Sequence, residues 1–158
     1  MKKLLIKLFV IIIFLSTTNC GFKTIDKENI KNFKVQEIKT TGNKRINYKI
    51  KNYLLSNSIQ DNNNNLIIKL KTDKKKIIKE KNIKNEITSY QVILSTELEL
   101  DYIDYDQRIK SQLSVIGDYI VATNYSSTLN NEKKLLDKLT NKLYEKILYE
   151  INTRINDF

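Results

Sequence analysis

Hydrophobic residues alternate with polar ones most regularly in two neighbouring stretches of the chain. In Tyr90–Tyr102 the even-numbered positions are apolar or Thr, while the odd-numbered ones are mostly polar. In Ile109–Thr123 most apolar residues stand at odd positions instead: Ile109, Leu113, Val115, Tyr119 and Val121. A period of two predicts strands with one buried face. In an antiparallel hairpin the two apolar faces coincide only if even residues pair with odd ones, so we expect paired residue numbers to sum to 211 or 213.

Two further strands and two helices complete the predicted pattern. Phe33–Lys39 and Leu66–Leu70 are short strand candidates. Between them, apolar residues at helical spacing predict a helix over about Asn43–Asn57: Ile46, Ile50, Tyr53 and Leu54. A final helix over about residues 131–155, capped by Asn130 or Asn131, is predicted by a longer run at steps of three and four: Leu136, Leu139, Leu143, Ile147, Ile151 and Ile155.

The segments between these elements are polar. Residues 61–65 (DNNNN) predict a loop, and Asp104–Arg108 a turn. The strongly basic stretch 72–86 (TDKKKIIKEKNIKNE) is compatible with an extended hairpin end or with a mobile loop.

The order strand, helix, strand, strand, strand, helix predicts one architecture. A right-handed crossover makes the first two strands parallel, and the last three strands form a meander. We therefore expect an α+β fold: a two-layer sandwich of a four-stranded, mostly antiparallel (mixed) sheet with two helices packed on one face. The other sheet face should be polar.

The N-terminus has the composition of a bacterial secretory signal. Lys2, Lys3 and Lys7 precede the apolar run Leu8–Leu15, and a small or polar stretch leads to Cys20. A membrane span needs about 20 apolar residues, and Leu4–Leu15 is too short and contains Lys7. We expect a signal peptide at 1–19, a tether at 20–32 and one sandwich domain at 33–158.

Cys20 is the single cysteine of the chain and would be residue one after cleavage. Attachment of diacylglycerol to its sulfur, with an N-acyl chain, explains an unpaired Cys in an exported protein better than a buried thiol does. The sequence therefore predicts a lipoprotein anchored at Cys20. No other cofactor is expected.

The charge of the chain favours an anionic partner. The formal net charge is +10, and residues 1–19 hold three lysines and no acid, which leaves +7. Such charge suits a membrane surface or an acidic glycolipid, whereas export argues against nucleic acid. Because Lys, Asn and Ile abound while Arg is scarce, drift in an AT-rich genome is an alternative explanation.

Residues typical of catalytic sites are scarce. The chain has no His and no Gly-rich phosphate loop or nucleophile elbow. Glu97 and Glu99 share one strand face, where we expect carboxylates to offset neighbouring lysines, such as Lys110 near Asp101. We predict that the protein is not an enzyme.

Several short motifs resemble the family of LPS-assembly lipoproteins (LptE). They are Cys20-Gly21-Phe22 at the mature start, Asn43-Lys44-Arg45 at the first helix, Thr88-Ser89-Tyr90-Gln91 at a strand start, and the long final helix. The resemblance implies an outer-membrane lipoprotein that faces the periplasm and sits, one to one, inside the lumen of the LPS-assembly outer-membrane β-barrel protein. It also implies binding of lipopolysaccharide in transit.

Four lysines are candidates for contact with lipopolysaccharide. The meander places Lys81 and Lys84 at its first hairpin, and the final helix is expected to begin near Lys133 and Lys134. These residues could lie on one rim near a helix N-terminus, which favours anions. The alternative function is a periplasmic lipoprotein that binds a soluble ligand or has a structural role in the envelope, with no barrel partner. An enzyme subunit is a weaker alternative.

Overall fold

The computed structural model describes residues 33–59 and 63–156. All six predicted elements are present in the predicted order: β1 Lys34–Gly42, α1 Lys44–Asn57, β2 Asn65–Lys81, β3 Ile87–Tyr102, β4 Gln107–Ile120 and α2 Tyr125–Asn156. The predicted signal peptide, Cys20 and the tether lie outside the described residues.

The strands form one sheet in the order β1-β2-β3-β4. β1 is parallel to β2, whereas β2, β3 and β4 are antiparallel neighbours, as predicted. Both helices pack on the face that carries the even-numbered residues of β2 and β3. The predicted α+β fold is therefore confirmed. Its core includes Leu66, Ile68 and Leu70 of β2, Leu94, Leu98 and Leu100 of β3, and Leu139, Leu143, Ile147 and Ile151 of α2.

The β3–β4 pairing joins even-numbered residues to odd-numbered ones, as predicted. The numbers of paired residues, however, sum to neither of the predicted values, 211 and 213. Tyr102 pairs with Gln107 and Ser89 with Ile120, which gives a sum of 209. β4 begins earlier than expected, so four residues connect the strands: a 3₁₀ turn at Ile103–Tyr105 and Asp106 in the left-handed region at φ 50°. Hydrophobic alternation determines the parity, but the conformation of this turn determines the register.

The start of α1 is fixed against β2. Asn43 caps the helix, since its side chain accepts the Ile46 N–H at 3.2 Å. The preceding Gly42 has φ +91°, and a Cβ there would lie 2.0 Å from the Thr72 carbonyl oxygen. Asn43 donates its N–H to that same oxygen at 3.0 Å. The predicted boundaries of this helix are confirmed to within one residue.

The start of α2 lies earlier than its hydrophobic pattern indicates. The helix begins at Tyr125, and the Asn124 side chain accepts the Ser127 N–H at 2.7 Å. The predicted start near Asn131 is therefore wrong, because the first two turns are held by polar caps rather than by apolar contacts. At 1.5 Å per residue the helix is about 48 Å long. Neither helix in the described ranges is long and apolar enough to cross a membrane.

Candidate functional site

The basic stretch 72–86 forms the extended hairpin end that was one of its two predicted structures. β2 continues to Lys81, and β3 starts at Ile87. We call residues 79–88 the distal hairpin, because β4 ends opposite Ser89. Its turn is ordered by the Asn82 side chain, which accepts the N–H groups of Lys84 at 3.0 Å and Glu86 at 2.9 Å. The tip thus presents Lys84 and the fully exposed Ile83.

The four predicted lysines form two pairs. Lys81 and Lys84 are exposed at the distal hairpin, where Lys81 donates to the Asn85 side chain at 2.9 Å. Lys133 and Lys134 are exposed on α2, two turns after its N-terminus. The neighbouring Glu132 contacts Lys76 (2.9 Å), which is five residues before Lys81, or about 16 Å along an extended strand. Because α2 begins at Tyr125, Lys133 and Lys134 do not lie at a helix N-terminus, and that expectation is wrong.

Glu132 is the centre of a partly buried cluster between α2 and the sheet. Lys74 and Lys76 each contact its carboxylate at 2.9 Å, and the Tyr119 hydroxyl donates to it at 2.9 Å. The Lys76 ammonium lies 4.2 Å from the centroid of the Tyr90 ring. Although burial raises the pKa of Glu132, the hydrogen bonds from these partners outweigh it and lower the pKa to about 2. Two lysines of β2 thus share one carboxylate of the helix, which offsets one of their two charges.

The sequence predictions did not include this Glu132 cluster. The signal was present, because the alternation of Leu66–Leu70 continues through Thr72 to Lys74 and Lys76. Period two therefore places both lysines on the face that packs against α2. The prediction left residues 72–86 open between an extended hairpin end and a mobile loop, and therefore assigned no sheet face to these lysines.

The open face of the sheet carries ion pairs across three strands. Glu99 lies between Lys69 at 2.6 Å and Lys110 at 3.2 Å, and Asp101 contacts Arg108 at 2.5 Å. Hydrogen bonds from Lys69 and Lys110 lower the pKa of Glu99. This confirms that the carboxylates of β3 offset neighbouring cations. The predicted partner of Asp101 is wrong, since the register of 209 places Arg108 opposite it and Lys110 opposite Glu99.

An open concavity of about 640 Å³ lies on this same face. Its charged lining includes Lys39, Lys69, Lys71, Glu97 and Glu99, so it presents both signs of charge. Glu97 itself contacts Lys71 at 3.0 Å. Within residues 33–59 and 63–156 no group of three or more His, Cys, Asp or Glu side chains is placed to hold a metal ion. The charged open face and the apolar helix face together define a one-sided sandwich.

No protein-family model and no curated protein matches the sequence. Solved structures do match the fold. Rare lipoprotein B from Shewanella oneidensis is 13% identical with a TM-score of 0.60, and the match covers 76% of this chain and 97% of that one. The uncharacterized lipoprotein B from Nitrosomonas europaea is 12% identical with a TM-score of 0.62, over 86% and 93% of the two chains.

A third structure extends the comparison. The minor lipoprotein from Acinetobacter baumannii is 12% identical with a TM-score of 0.51, over 77% of this chain and 93% of that one. The chain therefore has the fold of rare lipoprotein B and of two other solved lipoproteins. At these identities the likeness concerns the fold.

Proposed function

We propose that this protein is an outer-membrane lipoprotein of the LPS-assembly type. It is anchored through acyl chains on Cys20, plugs and helps assemble the LPS-transport β-barrel, and binds lipopolysaccharide on its way to the cell surface. The observation that carries the proposal is the match of the whole sandwich to rare lipoprotein B, over 97% of that chain. The apolar run before a single cysteine is consistent with it.

The two faces of the molecule suit a plug. A plug inside a water-filled lumen needs a polar exterior and a core of its own. Here the helices bury one sheet face, and the open face carries the Lys69–Glu99 and Arg108–Asp101 ion pairs. A barrel interior is lined by polar side chains, so the charged part of this face can rest against it.

The distribution of lysines suits an anionic glycolipid. The distal hairpin presents Lys81 and Lys84 beside the exposed Ile83, and α2 presents Lys133 and Lys134 as a separate pair. Phosphate and carboxylate groups would meet the ammonium groups, with the isoleucine available to acyl chains. Lys74 and Lys76 contribute less to this surface because they are partly buried and share the Glu132 carboxylate.

Copurification from mild detergent tests the proposal. We expect the tagged full chain to bring down one large outer-membrane protein in a one-to-one ratio, measured by mass spectrometry of the intact complex. An unrelated lipoprotein with the same tag is the control. Recovery of the lipoprotein alone, from membranes that contain the barrel, would support instead a periplasmic lipoprotein without a barrel partner.

A further inference from the structure

β4 forms a free edge of the sheet with a defined backbone pattern. At its end, Val121 donates its N–H to the Thr88 carbonyl oxygen at 2.9 Å, in the same 209 register as the rest of the ladder. Because backbone groups in an antiparallel ladder alternate in direction, odd-numbered residues of β4 bond to β3. The N–H and C=O groups of even-numbered residues therefore point away from the sheet.

Only side chains of α2 contact these outward groups within the part of the chain that the structure describes. Asn131 donates to the Ile120 carbonyl at 3.0 Å, and Lys146 to the Ser114 carbonyl at 2.8 Å. The edge also exposes large apolar side chains, since Ile116 is 57% and Ile120 70% exposed. Proteins usually protect such an edge with inward charges, prolines or bulges. The outward N–H and C=O groups of β4 that α2 does not contact can therefore pair with another strand.

The helix beside the edge indicates what kind of strand fits. Leu135 lies against Gly117, so α2 runs over β4. Lys138, Lys142 and Lys146 follow one another at steps of four along this exposed flank. Among the described residues none of the three forms an ion pair with a carboxylate. We call these three residues the lysine row.

We propose that the β4 edge receives an extended, acidic segment of a partner protein as a fifth strand. Main-chain hydrogen bonds to the even-numbered residues would supply affinity, and alternate acidic side chains would meet the lysine row. A second copy of this chain fits less well, since antiparallel pairing of two β4 strands about a two-fold axis perpendicular to the sheet would bring two lysine rows together. The inference stands independently of the barrel proposal.

Two labelled peptides probe the edge directly. One alternates Thr with Glu over twelve residues, and the other alternates Thr with Lys. Fluorescence anisotropy with the full chain in mild detergent should show at least tenfold tighter binding of the Glu peptide, weakening as salt is added. Lys138→Gln with Lys142→Gln should reduce both the affinity and the salt dependence.

A proline separates edge pairing from simple charge attraction. Gln112→Pro removes one outward N–H and leaves the β3–β4 ladder intact, because proline is tolerated on an edge strand when its nitrogen faces solvent. We expect at least tenfold weaker binding of the Glu peptide to this variant, whereas Gln112→Thr should bind like the original chain.

Hydrogen exchange gives the signature that other binding modes would lack. Adding the Glu peptide should protect the amides of Lys110, Gln112 and Ile116, while the odd-numbered amides of β4 are already protected in the free protein. Equal binding of both peptides, or protection elsewhere without protection of these amides, would overturn the proposal. So would dimerisation of the chain through β4 that excludes the peptide.

Discussion

At the scale of single residues, two glycines differ sharply in what a side chain would meet. At Gly42 an added Cβ would lie 2.0 Å from a backbone oxygen, and the φ of +91° disfavours any other residue. At Gly117 the nearest atoms are the ends of Leu135 and Leu139 side chains, at 2.7 and 3.2 Å. Backbone cannot move aside as flexible side chains can.

We therefore predict that Gly42→Ala lowers the free energy of unfolding by at least about 2 kcal/mol. Gly117→Ala, the matched control, should cost about 1 kcal/mol, since the leucines can shift by a few tenths of an ångström. Urea unfolding of both variants measures the difference. Equal losses would mean that the Gly42 turn relaxes and that its contact with Thr72 does not fix the start of α1.

Glu132 gives the protein an acid-dependent component of stability. Its pKa in the folded state is about 2, below the ordinary value of 4.5. The stabilisation is therefore complete above about pH 4.5 and is lost as the pH falls toward 2. We predict that Glu132→Gln lowers the free energy of unfolding at pH 7 by about 2 to 3 kcal/mol.

This difference between the two chains should shrink as the pH falls below 4.5 and vanish only below pH 2, because at pH 2 about half of the folded molecules still carry an ionised Glu132. Glu145→Gln, at an exposed position on the same helix, is the control and should change little at any pH. If Glu132→Gln lowers the free energy of unfolding by the same amount from pH 7 to pH 2, the effect arises from packing rather than from charge.

At the scale of elements, the distal hairpin and α2 each carry one pair of candidate lysines. We predict that Lys81→Ser with Lys84→Ser weakens binding of purified lipopolysaccharide about thirtyfold, since each cation near an anionic lipid surface contributes roughly 1 kcal/mol. Lys133→Ser with Lys134→Ser should do the same. The effects should add, since distant sites act independently. Isothermal titration at two salt concentrations measures affinity and its salt dependence.

Two exposed lysines of α1, Lys44 and Lys51, serve as the matched control for charge alone. Their change to Ser should leave affinity almost unaltered. If this control weakens binding as much as either candidate pair, the lysines act only through net charge, as genome drift would produce. In that case no local surface for lipopolysaccharide exists at the distal hairpin.

Periodicity predicted the elements better than their ends. The alternation in β3 and the helical spacing of Ile46, Ile50 and Leu54 concern buried faces, where burial outweighs other effects. The β4 register depended on Asp106 adopting φ 50°, and the start of α2 on the Asn124 cap. Both are local backbone conformations that the hydrophobic pattern does not encode.

At the scale of the whole molecule, Phe33 and the distal hairpin lie toward opposite ends of β2. Phe33, where the described chain begins, is buried near the start of β2, whereas β2 extends 17 residues toward the hairpin, or about 56 Å. Topology and parity were predictable at this scale, but the spatial separation of the lysine pairs was not.

The anchor itself makes a further prediction. One acyl chain binds a membrane only marginally, whereas two or more bind stably. We expect Cys20→Ser to move the protein from the membrane to the soluble fraction, as followed by immunoblot after fractionation. The intact mass of the original protein should equal residues 20–158 plus its acyl chains. A mature mass without acyl chains would contradict lipidation.

Photo-crosslinking in living cells tests most directly whether the protein sits inside a barrel. A plug is surrounded on every side, so a photoreactive residue at exposed positions on different faces should reach the same partner: Tyr48 on α1, Ile83 at the hairpin tip, Ile116 on β4 and Tyr149 on α2. The buried Leu143 is the control. The account predicts crosslinks from all four exposed positions to one large outer-membrane protein. Crosslinks from one face alone, or to different proteins, would contradict it.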